Sequence, residues 1–352
     1  MDLQRNVVAP VLERITPPLV RGLAALPTRL QHLMTPRGLS PRDGQDLLPE
    51  VGMALRLLRL SGPSFETFPP IEARQIIRQE AASFAGPQVP VRSVQDRTIP
   101  GPGGEIGLRL YDDRQDRSGW TAGIVFFHGG GWVVGDLETH DPFCRFLARG
   151  TGYPVIAVDY RLAPEHPFPA AVDDAAAAFA WTAANAGDLG LDPSRLAVAG
   201  DSAGGTLATV VCQSAADEGG PVPALQVLIY PVTDLSLKHD SYPLFAEGYF
   251  LTEAQMDWYR DHYTGGQHLT DPRVSPLLAE DLSGLPPAYV TTAGFDVLRD
   301  EGEAYARRLQ SAGVDTTLRR HPGLVHSWIN AVGLGRGPRS AADEIVDALR
   351  QV

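Results

Sequence analysis

The sequence has little of several things, and each shortage excludes a class of protein. Of 352 residues only two are cysteine, Cys144 and Cys212, too few in so long a chain for a disulfide framework. Both sit in apolar, helix-like stretches without the neighbours of a reactive thiol, so inert, buried side chains are expected. No uninterrupted apolar run of about eighteen residues occurs, which argues against an integral membrane segment. Acidic residues outnumber basic ones 42 to 30, for a formal net charge of −12. A nucleic-acid or anionic-membrane surface calls for the opposite excess, so no nucleic-acid partner is expected. Lys238 is the single lysine, a bias we read as compositional.

What is present fits a globular protein. Hydrophobic residues make up 43% and charged residues 20%, enough for a large core in one big domain with additions or in two modest ones. The N-terminus lacks the continuous apolar stretch and small-residue cleavage site of a secretory signal, so the expected location is cytoplasmic. From Val11 to Met34, apolar clusters alternate with Arg14, Arg21 and Arg29. This is the pattern of an amphipathic helix, packed on its own domain or resting on a membrane.

Residues 1 to 88 read as a helical extension broken by proline and glycine, with Ile71–Phe84 its clearest amphipathic stretch. Two strand-like runs follow, Ser93–Ile99 and Glu105–Tyr111, flanking the turn signal Pro100-Gly-Pro-Gly-Gly. Beyond them an apolar strand, a turn and a helix alternate. The spacing predicts strands at Gly123–Phe127, Val155–Val158, Leu196–Ala199, Ala224–Tyr230, Ala288–Thr292 and Thr316–Arg320. Helices are predicted at Pro142–Arg149, Ala170–Asn185, Ala203–Asp217, Asp300–Ala312 and Ala341–Gln351. Apolar strands separated by helices imply a mostly parallel α/β sheet of about eight strands, covered on both faces, with the hairpin at one edge. Residues 236–278 break the rhythm with helical, aromatic-rich sequence, so the catalytic domain spans 89–352 with an insertion.

Two glycine motifs carry chemistry. Gly200-Asp-Ser-Ala-Gly204 lies between a strand and a helix, where a tight turn lifts Ser202 clear of the sheet and places it at a helix N-terminus. His128-Gly129-Gly130-Gly131-Trp132 follows another strand, and its glycines leave backbone N–H groups free to meet a ligand oxygen. With the N–H of Ala203 they would make an oxyanion hole. His128 and Gly129 would support that loop. The phosphate-binding pattern Gly-x-x-x-x-Gly-Lys is absent, and no Gly-x-Gly-x-x-Gly opens a helix. No histidine pair has the His-x-x-x-His spacing beside an acid, so no metal is expected.

A serine nucleophile needs a base and an orienting acid. His321 and His326 both follow the last strand, and His326, in the loop Gly323-Leu-Val-His-Ser-Trp, is favoured. Asp296 follows the strand Ala288–Thr292 at the end where open α/β sheets place their sites. Its rivals Asp300 and Glu301 begin a helix and suit its N-terminal charge. Trp132, Tyr249 and Phe250 are candidates to line an acyl pocket, or equally to be core.

Together with Asp159-Tyr-Arg-Leu-Ala-Pro-Glu-His-Pro-Phe-Pro-Ala-Ala and Asp296-Val-Leu-Arg-Asp-Glu-Gly, these motifs resemble the hormone-sensitive-lipase-like family of bacterial esterases. The resemblance runs from about residue 88 to the C-terminus. It implies an α/β-hydrolase fold and cofactor-free hydrolysis of small esters with short to medium acyl chains. Ser202, Asp296 and His326 would be the triad, with Gly130, Gly131 and Ala203 as oxyanion donors. The resemblance also implies a cap built from the N-terminal helices and the 236–278 insertion. A homodimer through Thr316–Arg320 is a further implication, although Arg319 and Arg320 read equally as charges that protect an edge. The chain departs from the family at Leu324-Val-His-Ser-Trp, where His-Gly-Phe is commoner, and in its longer N-terminus. A non-hydrolytic binding protein on the same fold, or a hydrolase of amides, lactones or acetylated sugars, would share these motifs.

Overall fold

The computed structural model describes residues 17–352. Eight strands form a single sheet: β1 (Ser93–Gly101), β2 (Gly104–Asp112), β3 (Thr121–Phe127), β4 (Val155–Asp159), β5 (Leu191–Asp201), β6 (Leu225–Ile229), β7 (Ala288–Phe295) and β8 (Thr316–Val325). Their order is β1-β2-β4-β3-β5-β6-β7-β8. The β1–β2 hairpin turns on Pro102 and Gly103 and pairs antiparallel with β4, and every later pairing is parallel. Along β3, the residues from Ala122 to Phe127 are buried without a break. Such continuous burial needs helices over both faces of the sheet. Leu137–Thr151 packs against Arg336–Leu349, and Ala170–Ala184 against Ala203–Glu218, the latter crossing β3, β5 and β6.

Several boundaries differ from the sequence expectation. The helix expected from Pro142 begins at Leu137, because Asp136 and Thr139 close a capping box there and Pro142 falls in its second turn. β8 runs five residues past Arg320, through Pro322 and Gly323. It lies at the sheet edge, where one side of the strand has no ladder to lose. Of the Val11–Met34 stretch, residues 11–16 lie outside the described residues. The remainder is two helices, Pro17–Ala24 and Thr28–Met34, separated at Pro27 rather than one. Val20 of the first is buried against Leu57 and Phe84.

The N-terminal segment and the insertion meet each other. Gln255, in the helix Glu253–Thr264, donates to Ser64 Oγ at 3.0 Å. Phe65 packs its ring against Trp258 and Tyr259. The helix Pro70–Phe84 is tied down by Arg74, which donates to the carbonyls of Val133 and Ala163 and pairs with Glu165. Among the described residues no helix is long and apolar enough to cross a membrane. Cys144 and Cys212 are buried and unpaired.

Candidate active site

Ser202 is the single residue between β5 and the helix Ala203–Glu218. Its φ of +54° is left-handed, a strained conformation for a serine and the geometry that turns its side chain out of the strand. The turn is so tight that a Cβ on Gly204 would lie 1.9 Å from the Phe127 carbonyl oxygen. One on Gly200 would lie 2.2 Å from the Gly204 carbonyl oxygen. Only glycine fits at either place.

The structure brings three of the predicted residues into one line. His326 Nε2 lies 2.9 Å from Ser202 Oγ, and His326 Nδ1 lies 2.7 Å from Asp296 Oδ2. Asp296 Oδ1 accepts the N–H of Leu298 at 3.0 Å, which fixes the carboxylate. A carboxylate facing Nδ1 selects the tautomer with its proton there and leaves Nε2 free to accept. All three side chains are buried: Ser202 is 6% exposed, His326 4% and Asp296 1%. The Tyr230 ring covers the imidazole at 4.5 Å between centroids.

The rivals are occupied elsewhere. His321 lies within β8 with its ring against Trp328. Asp300 pairs with Arg299. Glu301 accepts the N–H groups of Thr233 and Asp234 and holds the loop after β6.

The glycine loop lies beside Ser202. Gly130 and Gly131 have φ of +120° and +57°, and a Cβ on Gly131 would lie 2.2 Å from the Tyr259 ring. Among the described residues nothing accepts a hydrogen bond from the N–H of Gly130, Gly131 or Ala203. His128 braces the loop from behind. Its ring stacks on Tyr160 at 4.2 Å, Tyr160 donates to the His128 carbonyl, and its own Nδ1 lies 2.8 Å from the Gly129 carbonyl oxygen. Burial, with His140 nearby, pushes the His128 pKa down to about 4, so the ring is neutral near pH 7.

A cavity open to solvent reaches from these groups between the N-terminal helices and the insertion. Its wall is largely apolar, with Met53, Leu58, Phe84 and Phe250 among the contributors. Trp132 and Tyr249, expected as pocket candidates, do not reach it. Trp132 is buried in a stack on Tyr263 at 4.3 Å. Tyr249 packs on Phe245 and Phe295, and its hydroxyl donates to the Leu39 carbonyl. Both aromatics serve packing, and of the three only Phe250 faces the cavity.

The departure at the histidine loop has a local consequence. Ser327 has φ +60°, the left-handed region that glycine occupies without cost, and Trp328 is buried against Tyr230. The loop thus keeps a left-handed residue after the histidine although no glycine supplies it.

Sequence reasoning gave no role to Asp201 or His140. Asp201 Oδ1 accepts the Gly129 N–H at 2.8 Å and lies 3.2 Å from His140 Nε2. The available signal was an acidic residue directly before the serine, at the end of an otherwise apolar strand.

A strand-borne serine, an imidazole and a carboxylate at the ends of a mostly parallel sheet define an α/β hydrolase. Residues 124–330 match a family described by the α/β hydrolase fold, and the chain belongs to that family, within its hormone-sensitive-lipase-like esterases. It is 44% identical over 340 residues to the carboxylic ester hydrolase LipN of Mycobacterium tuberculosis, covering 94% of this chain and 90% of that one. It is 40% identical over 284 residues to the ethyl acetate hydrolase of Pseudomonas putida, covering 80% and 89%. Among solved structures, an ester hydrolase from the metagenome of Lake Arreo superposes with a TM-score of 0.84 at 44% identity. That match covers 87% of this chain and 98% of the other.

Proposed function

We propose that this carboxylic ester hydrolase cleaves esters of short to medium acyl chains through an acyl-enzyme on Ser202. The observation that carries the reading is the unbroken line of contacts from Asp296 through His326 to the Ser202 hydroxyl. His326 Nε2 takes the hydroxyl proton as Oγ attacks the ester carbonyl carbon. Negative charge gathers on the carbonyl oxygen, and the N–H groups of Gly130, Gly131 and Ala203 hold it. Each such donor contributes on the order of 3 kcal/mol to the transition state. The imidazolium returns its proton to the departing alkoxide, and the alcohol leaves. Water then gives a proton to Nε2 and attacks the acyl carbon. Collapse of that intermediate frees the carboxylic acid and restores Ser202.

Of the expected 1–88 extension, the described residues 17–88 act with 236–278 as the cap over the 89–352 catalytic domain in this reading. The cap supplies about half of the cavity wall, and a small-molecule ester is the partner the cavity suits. Support comes from the mutual contacts of Phe65, Trp258 and Tyr259 and from the apolar lining.

The test is hydrolysis of p-nitrophenyl esters from acetate to laurate. We expect kcat/KM to peak at short to medium chains, and Phe250→Ala to move the peak toward longer ones. A rate still rising at laurate, or faster turnover of a matched amide, would overturn the substrate assignment.

A further inference from the structure

The reaction above leaves a buried charged cluster behind the glycine loop without a role. Asp201 is 1% exposed and directly precedes the nucleophile. Its Oδ1 binds the Gly129 N–H, and its Oδ2 accepts the Tyr230 hydroxyl at 3.4 Å. His140 comes to it from the helix Leu137–Thr151 and is itself buried. Of the other titratable groups, His128 faces His140 from the loop at 5.5 Å between ring centroids, and Asp136 approaches from the cap of its own helix. Tyr230 and His326 face Asp201 from the ends of β6 and β8.

His140 is set against Asp201 by contacts at both ring nitrogens. The Thr139 hydroxyl lies 2.8 Å from both the Asp136 carbonyl oxygen and His140 Nδ1, which holds the ring in place. Nε2 faces the Asp201 carboxylate. At 3.2 Å from a buried carboxylate, the ring is placed to serve as that carboxylate's cationic partner. The electrostatics agree. Burial favours neutral His140 and protonated Asp201, but each partner's charge outweighs that effect, so the histidine pKa is raised and the aspartate pKa lowered.

An unpaired carboxylate here would be anticatalytic, because it adjoins the amides that must receive the oxyanion and would repel the charge forming there. We propose that Asp201 and His140 are a pair of positioning residues: Asp201 anchors the glycine loop through the Gly129 N–H, and the His140 imidazolium cancels its charge. The inference rests on reading Gly130, Gly131 and Ala203 as oxyanion donors.

The experiment is a double-variant cycle on p-nitrophenyl butyrate, with folding of each variant checked by circular dichroism. His140→Gln should lower kcat by about tenfold or more with KM changed by less than about twofold, since the lost interaction acts in the transition state. Adding Asp201→Asn removes the uncompensated charge but keeps a carbonyl for Gly129, and should restore about fivefold of that loss. An equal cost of His140→Gln in the presence and absence of Asp201→Asn would overturn the proposal. Should His140→Gln fail to fold, the pH profile decides. Wild-type kcat should fall at alkaline pH as His140 loses its proton, and Asp201→Asn should remove that fall. An unchanged fall would overturn the pairing. Uncoupled variants of an active wild type reject the pair alone, whereas a wild type without Ser202-dependent hydrolysis rejects the proposed function and this inference with it.

Discussion

Ser202 Oγ and His326 Nε2 lie 2.9 Å apart across 124 positions of sequence. The sheet creates this proximity. β5 ends at Asp201 and β8 at Val325, so the residue after each strand emerges at the same end of the sheet. Asp296, immediately after β7, arrives by the same route.

Because Asp296 meets Nδ1, exchanging its charge for an amide disturbs the tautomer that Ser202 needs. Asp296→Asn is expected to lower kcat by on the order of 10³–10⁴ with little change in fold. Steady-state kinetics beside a thermal melt checks this, and a loss under about tenfold would contradict the role.

The glycine of the nucleophile turn can be tested through stability. In Gly204→Ala the new methyl meets the Phe127 carbonyl oxygen, a backbone atom of a central strand that cannot swing aside. We expect a loss of at least about 3 kcal/mol in urea unfolding, and a fully stable variant would show that β3 and the helix can separate.

Ser327 offers the opposite sign. Its left-handed backbone costs an L-residue about 1 kcal/mol or more, part of which glycine gives back through its larger entropy loss. Ser327→Gly should therefore gain about 0.5 kcal/mol of stability and keep its esterase rate. Chemical denaturation would detect destabilisation, the contrary result.

Glu80 should set a pH dependence of stability. Burial, helped by Glu66, pushes its carboxyl up to about 7. Folded protein then holds a proton that unfolded chain has already released. Stability from this group is complete below the ordinary glutamate range and falls as the pH rises to about 7, then levels off. Glu80→Gln removes the penalty. Its melting temperature should exceed the wild type at pH 8, by the equivalent of about 1–2 kcal/mol, and match it at pH 4. Equal differences at both pH values would contradict the assignment.

The sequence disclosed what repeats or sits beside a strand end. Apolar runs marked β3 to β7, and Ser202, Asp296 and His326 were each legible because they lie in the turn or loop that follows an expected strand. β8 was cut short because proline and glycine read as stop signals, and its edge position, which makes Pro322 tolerable, is a tertiary fact. Trp132 and Tyr249 were ambiguous for a related reason. Whether an aromatic faces a cavity or a core depends on partners such as Tyr263 and Phe295, far away in the chain. The tie between Asp201 and His140 was hidden because it joins a strand end to a helix, with no local pattern linking them.

The central claim is that Ser202 is the nucleophile, and covalent capture tests it most directly. A p-nitrophenyl alkylphosphonate should inactivate the wild type with release of one nitrophenolate per chain, and peptide mass spectrometry should find the phosphonyl group on Ser202. Ser202→Ala should remain folded, take no label and lose p-nitrophenyl ester turnover. Label on another residue, or undiminished turnover by the folded Ser202→Ala variant, would contradict the account.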